Sequence, residues 1–123
     1  MNVLCTHLLL ELRECNAVLL NDLDYVRETI IKAANAVGAT IVGESFHRFE
    51  PQGVTGVLAI AESHISVHTW PEYGYAAADI FTCSSSIEPM DAAQLLIDSL
   101  ESKRPEISEI QRGVESKTPV SNS

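Results

Sequence analysis

The sequence predicts an α+β two-layer sandwich, with a mainly antiparallel sheet and two helices on one of its faces. Three observations lead there. Several stretches alternate apolar and polar residues with period two, and tight turns join them in succession, which is the arrangement of antiparallel strands. Two other stretches repeat apolar residues at steps of three and four, the stripe of an amphipathic helix. A chain of 123 residues, 46% hydrophobic and 20% charged, fits one compact domain with a core of its own rather than a disordered polymer.

The elements follow in order. Residues 3 to 14 read as a strand, with Leu8, Leu10 and Leu12 on one face and His7, Glu11 and Arg13 on the other. Asn21 and Asp22 offer an N-cap, and Leu23, Val26, Ile30, Ala33 and Val37 form the stripe behind them, closed by Gly38. "TIVGESFHRF" (40 to 49) is a second strand, ended by the turn chemistry of "EPQG". "VTGVLAIA" (54 to 61), "HISVHTW" (64 to 70) and "YAAADIFTC" (75 to 83) are the next three, with Pro71 stopping the second of them. A helix is predicted from Pro89 to Lys103, with Ala92, Leu95, Leu96 and Leu100 facing inward. "EISEIQRG" adds a short edge strand. Residues 1 to 112 thus read as one domain, and residues 113 to 123, polar and without periodicity, as a disordered tail. Two helices cover only one face of such a sheet, so a second copy is expected over the other, giving a homodimer.

Composition excludes several classes of partner. A net charge of −9, from 17 acidic and 8 basic residues, repels nucleic acid and anionic membranes, which need clustered Lys and Arg. It suits a cationic small molecule. No apolar run approaches the ~20 residues that span a bilayer, and "MNVLCTHLLLEL" lacks the basic leader and cleavage site of a signal peptide. The cysteines are Cys5, Cys15 and Cys83. Their odd number and the missing secretory signal favour reduced thiols and a cytoplasmic location over a disulfide framework.

The unusual stretch is "AESHISVHTWPEYGYAAADIFTC", residues 61 to 83. His64 and His68 would share a metal ion if they lay on a helix. The local alternation is that of a strand, where four residues span ~13 Å, too far for one ion, so no metal site is expected. Pyridoxal phosphate needs a lysine and a phosphate cradle. The lysines, Lys32, Lys103 and Lys117, lie on helices or the tail, and no glycine-rich phosphate loop is present. Cys83 and His68 remain open between a nucleophile pair meeting across adjacent strands and a structural cysteine beside a core histidine.

The run "SFHRFEPQGVTGVLAIAESHISVHTWPEYGYAAADIFTC" (45 to 83) closely resembles the prokaryotic S-adenosylmethionine decarboxylase proenzymes, and the similarity extends from the first strand to about Gly113. The resemblance implies self-cleavage between Glu62 and Ser63, into a β chain of residues 1 to 62 and an α chain of residues 63 to 123. The Ser63 hydroxyl attacks the preceding carbonyl, an ester forms, elimination releases the N-terminal chain, and hydrolysis leaves a pyruvoyl group in place of Ser63. Its keto group condenses with the substrate amine and takes up the electrons left by CO₂, the task pyridoxal phosphate performs elsewhere.

The same resemblance assigns roles. His68 is the processing histidine, and a neutral imidazole suits removal of the serine α-proton. Cys83 is the proton donor to the substrate Cα, since a thiol of pKa ~8.5 is still mostly protonated at neutral pH. Thr55 stands where many relatives carry the serine of "GVSGV" and keeps the hydroxyl for processing. Phe49 and Trp70 are candidates to stack on adenine or face the sulfonium, or are ordinary core aromatics. Glu72 is a candidate for the ribose hydroxyls, or a solvated loop carboxylate. The first strand departs from the common "GRHL" pattern, reading "CTHL" at residues 5 to 8. The expected activity is conversion of S-adenosyl-L-methionine to the aminopropyl donor of spermidine synthesis. The same cofactor acting on arginine or ornithine, and a non-catalytic regulatory subunit with this fold, are the alternatives.

Overall fold

The computed structural model describes residues 3–114. In chain order it contains β1 (Cys5–Arg13), α1 (Ala17–Leu20), α2 (Leu23–Ala36), β2 (Ile41–Arg48), β3 (Val54–Ile60), β4 (Ser63–Trp70), a 3₁₀ turn (Pro71–Tyr73), β5 (Tyr75–Thr82), α3 (Pro89–Ser99) and β6 (Arg104–Arg112). The strands lie in the order β2-β3-β4-β5-β1-β6. Each neighbouring pair is antiparallel. The α+β two-layer reading therefore holds.

The strand alternation decides which face meets the helices. Leu8, Leu10 and Leu12 of β1, Ile65 and Val67 of β4, and Ala76, Ala78 and Ile80 of β5 point one way and are buried. Against them pack Val26, Ile30, Ala33 and Ala34 of α2 and Ala92, Ala93 and Leu96 of α3. Each fully buried Leu or Ile contributes about 1.5–3 kcal/mol over its exposed state, so this single layer is the main source of stability. The small residues of β5 leave room for the helices to approach the sheet.

The helix ends are set locally. The Tyr25 N–H donates to the Asp22 carboxylate at 3.0 Å, capping α2, and Gly38 follows it with φ 75°. Two details differ from expectation. The four-residue helix α1, capped by Asn16, lies where none was predicted. It is too short to show a 3.6-residue period. The third helix stops at Ser99, four residues short of Lys103, because Leu100 is drawn into the core. Glu101 then takes φ 58°, and Ser102 Oγ–H donates to the Arg13 carbonyl at 2.7 Å, aligning the chain for β6. No glycine or proline marks that stop.

The expectation of reduced thiols needs correction. Cys5 and Cys83 form a disulfide, while Cys15 is free. A count of cysteines carries no information about strand register, and register is what opposes these two. Among the described residues no helix is long and apolar enough to cross a membrane. The expected tail lies outside the described residues from position 115 onward.

Candidate active site

The β3–β4 turn holds the Glu62–Ser63 bond. The Ala61 N–H donates to the Thr40 carbonyl at 2.8 Å, and the Glu62 carboxylate accepts from the Thr40 N–H at 3.1 Å. The Glu62 carbonyl accepts from the Cys83 N–H at 2.9 Å. These three bonds hold the turn against β2 and the end of β5. Ser63 itself has φ 152°, in a region that residues with a Cβ avoid, at a cost of about 1–3 kcal/mol.

A second group of predicted residues gathers at the opposite end of β4. Thr55 and His68 face each other across β3 and β4, with Thr55 Oγ1 and His68 Nδ1 sharing a hydrogen bond of 3.1 Å. Around them Phe49, Gln52, Trp70 and Glu72 line a cavity of about 320 Å³. Phe49 is 47% and Trp70 40% exposed, so neither is a core aromatic. Trp70 stacks on Tyr75 at 5.3 Å, which fixes the plane of its ring. A larger depression, about 630 Å³, adjoins through Gln52 near the start of α2, but none of the predicted site residues lines it.

The two groups do not meet within one chain. His68 lies five residue steps beyond Ser63 along β4, a span of ~16 Å at ~3.3 Å per residue. Nor does His68 face Cys83: its partner on β5 is Ala77. Of the two open readings of that pair, direct contact across adjacent strands is therefore overturned for the single chain, because register places Cys83 beyond the Ser63 end. The structure brings together Glu62, Ser63 and Cys83, and separately Thr55, His68, Phe49, Trp70 and Glu72.

Between the groups runs the sheet face that no helix covers. It carries a chain of polar contacts that reading the sequence missed. His7 Nε2 lies 3.0 Å from Asp79 Oδ1, Ser66 Oγ–H donates to Asp79 Oδ2 at 3.2 Å, and Arg112 reaches His7 Nδ1 at 3.3 Å. The Tyr75 hydroxyl donates to the Glu11 carboxylate. Burial, with the Glu11 bond behind it, pushes the Tyr75 phenol up to about 12. Alternating polar residues on a half-covered sheet ordinarily mean solvent. Their concentration in β1, β4 and β5 was the available signal.

Comparison with known proteins places the chain in a family. Residues 6–113 match the family described as S-adenosylmethionine decarboxylase, so the class is that of a carboxy-lyase, an enzyme. The S-adenosylmethionine decarboxylase proenzyme of Thermodesulfovibrio yellowstonii is 50% identical over 93% of this chain and 84% of its own. That of Prochlorococcus marinus is 49% identical, over 93% and 90%. The crystal structure of the adenosylmethionine decarboxylase from Aquifex aeolicus superposes with a TM-score of 0.88 at 32% identity, over 98% of this chain and all of that one. The chain belongs to the S-adenosylmethionine decarboxylase family.

Proposed function

We propose that this protein is a self-processing, cytoplasmic decarboxylase of S-adenosyl-L-methionine whose pyruvoyl group is made from Ser63, and that it supplies the aminopropyl donor of spermidine synthesis. The observation that carries the reading is the positive φ of Ser63, 152°. Strain of about 1–3 kcal/mol stored at one bond of a turn favours the step that breaks it. The residues at that turn fit a keto group derived from Ser63, since the carbonyl to be attacked is already hydrogen-bonded.

The processing steps follow from the groups in place. Ser63 Oγ attacks the Glu62 carbonyl carbon, and the peptide C–N bond gives way to an ester. The Cys83 N–H, 2.9 Å from that carbonyl oxygen, holds the negative charge that collects there, as an oxyanion donor does. A base removes the Ser63 α-proton, the bond from Ser63 Cβ to the ester oxygen breaks to release the main-chain carboxylate of Glu62, and water converts the dehydroalanine at 63 to the keto group with loss of ammonia. The products are a β chain of residues 1 to 62 and an α chain of residues 63 to 123. The keto group supplies the electron sink for decarboxylation. The Cys83 thiol, when reduced, holds the proton destined for the substrate Cα.

His68 acts as base only within hydrogen-bond reach, ~2.6–3.2 Å or one water further. Its own Ser63 lies ~16 Å away along the strand. The working site therefore combines Glu62, Ser63 and Cys83 of one copy with Thr55, His68, Phe49, Trp70 and Glu72 of another. A two-fold axis lying between two open sheet faces, parallel to them and crossing β4 at its middle, exchanges the two ends of that strand and forms two such sites. The cavity aromatics then face the adenine and the sulfonium, the latter contact worth about 0.5–2 kcal/mol, and Glu72 accepts from the ribose hydroxyls.

Mass spectrometry of denatured protein tests the reading, run with a carbonyl-directed hydrazide and with carboxyl-labelled substrates. Two fragments split after Glu62, hydrazide on the second, and labelled CO₂ from S-adenosyl-L-methionine are expected. An uncut chain after long incubation, or an α fragment with a free amino group, ends the proposal. CO₂ from arginine or ornithine alone would transfer it to a basic amino acid.

A further inference from the structure

We infer that Cys5 and Cys83 form a reversible redox lock, in which oxidation by a low-molecular-weight disulfide removes the catalytic thiol from service. The inference rests on the proposed role of Cys83 as proton donor. The ladder between β1 and β5 pairs Thr6 with Thr82, and Cys5 and Cys83 stand opposite each other one step further. Their Cα atoms are 4.0 Å apart, and their sulfurs are bonded. Strand pairing alone thus keeps a second sulfur against the catalytic one, with no loop closure needed to bring them together. In the bonded state Cys83 carries no proton to deliver.

The site is open to such an oxidant. Cys83 is exposed and Cys5 half-exposed, and both line a surface cavity of about 470 Å³ with Thr6, Thr82 and Ser84. A thiol that must meet a nucleoside substrate is reachable by a tripeptide disulfide. The exchange balances in two steps. The thiolate of Cys83 attacks one sulfur of the small disulfide and expels one small thiolate. The thiolate of Cys5 then attacks the Cys83 sulfur and expels the second. The protein loses two electrons and two protons, and the small disulfide becomes two thiols.

Cys15 supplies an internal control. It is half-buried beside the Leu12 carbonyl, 3.4 Å from its sulfur, and burial pushes its thiol up, which leaves less of the reactive thiolate. The bridge also joins residues on opposite sides of the proposed cleavage, Cys5 in the β chain and Cys83 in the α chain. In processed protein it links two chains that otherwise separate on a denaturing gel.

The test uses processed, full-length protein equilibrated in glutathione buffers of falling total concentration, with reduced glutathione held in about tenfold excess over oxidised. At that ratio a lone thiol is at most about one-tenth converted to a mixed disulfide, whereas a paired dithiol, favoured by its effective concentration, closes as the buffer is diluted. Expected on dilution are a β–α species on non-reducing gels, a Cys5–Cys83 peptide, a loss of turnover of at least about tenfold in step with it, and recovery with dithiothreitol. Cys5→Ser should keep its basal turnover and about nine-tenths of it in every buffer. A wild-type chain that never forms the bridge, even in oxidised glutathione alone, overturns the inference. So does bridged protein that turns over at the reduced rate, or Cys5→Ser losing activity in parallel with wild type. Reduced protein that releases no CO₂ at the start instead breaks the proposed function, and the gel still reports separately whether the bridge forms.

Discussion

Co-expression of two defective chains tests the proposed shared site directly. Ser63→Ala removes the proposed nucleophile and His68→Ala the proposed base. Within one chain the two positions lie ~16 Å apart along β4, against the ~3 Å that proton transfer requires. Each variant alone should therefore stay uncut. In a mixed dimer, however, the Ser63 of the His68→Ala chain meets the His68 of the Ser63→Ala chain, and one of the two sites is whole. Random pairing at equal expression puts about half of the His68→Ala chains in mixed dimers. About half of those chains should be cleaved, and turnover per chain should reach about a quarter of wild type. The readout is the mass of the intact and cut species, with the chains distinguished by different affinity tags. Cleavage no greater than the sum of the single variants would refute the shared site. Cleavage of His68→Ala alone at the wild-type rate would remove His68 from processing altogether.

The remaining predictions concern single positions. Ser63→Gly and Ser63→Ala both leave the proenzyme uncut, but glycine accepts φ 152°. Set against its larger entropy loss of about 0.5–1 kcal/mol, relief of the strain should leave Ser63→Gly more stable to denaturant by about 1 kcal/mol at equal protein concentration; an alanine variant of equal or greater stability would remove strain from the argument. Cys83→Ala keeps the backbone N–H and so should still cleave, while turnover falls about a hundredfold or more; full activity would remove the proton-donor role. Tyr75 should ionise near pH 12 by ultraviolet absorbance of the phenolate, with a lower midpoint in Glu11→Gln. Because its folded pKa is raised, its contribution to stability is complete below the unfolded value of ~10 and is lost as pH climbs toward the folded one; a midpoint unmoved by Glu11→Gln would contradict that hydrogen bond's part in the shift.

Much of the fold was legible because burial imposes a period. Leu8, Leu10 and Leu12 could line one face only of a strand, and Val26, Ile30 and Ala33 one face only of a helix, with Asp22 and Gly38 marking its ends. What escaped had no period or punctuation. The single turn of α1 is too short, and α3 stops because Leu100 is wanted in the core and Ser102 by β1. The arrangement of the candidate site residues was not legible. "ESHISVHTW" reads as one cluster because its residues adjoin in sequence, yet a strand separates what adjoins. Register, which opposes Cys5 to Cys83 and Ala77 to His68, comes from the pairing of distant strands. No local pattern encodes it.

The charge of the chain bears on how two copies would meet in the proposed dimer. At −9 each, two molecules repel at long range, so the open sheet face must not add to that repulsion where it makes contact. Its acidic groups are already engaged. Asp79 lies between His7 and Ser66, and Glu11 receives the Tyr75 hydroxyl. Around them stand Leu9, Ala77, Val57 and Ile110, the last two more than a third exposed. A face whose carboxylates are hydrogen-bonded by its own strands, amid apolar neighbours, can be buried without leaving those oxygens unpartnered, which is the costly alternative. The same bonds fix the side chains along β1, β4 and β5, so little rotamer freedom remains to be lost on association. In the proposed dimer, the polar row between the two groups of residues is thus what would let a strongly acidic protein bring them together.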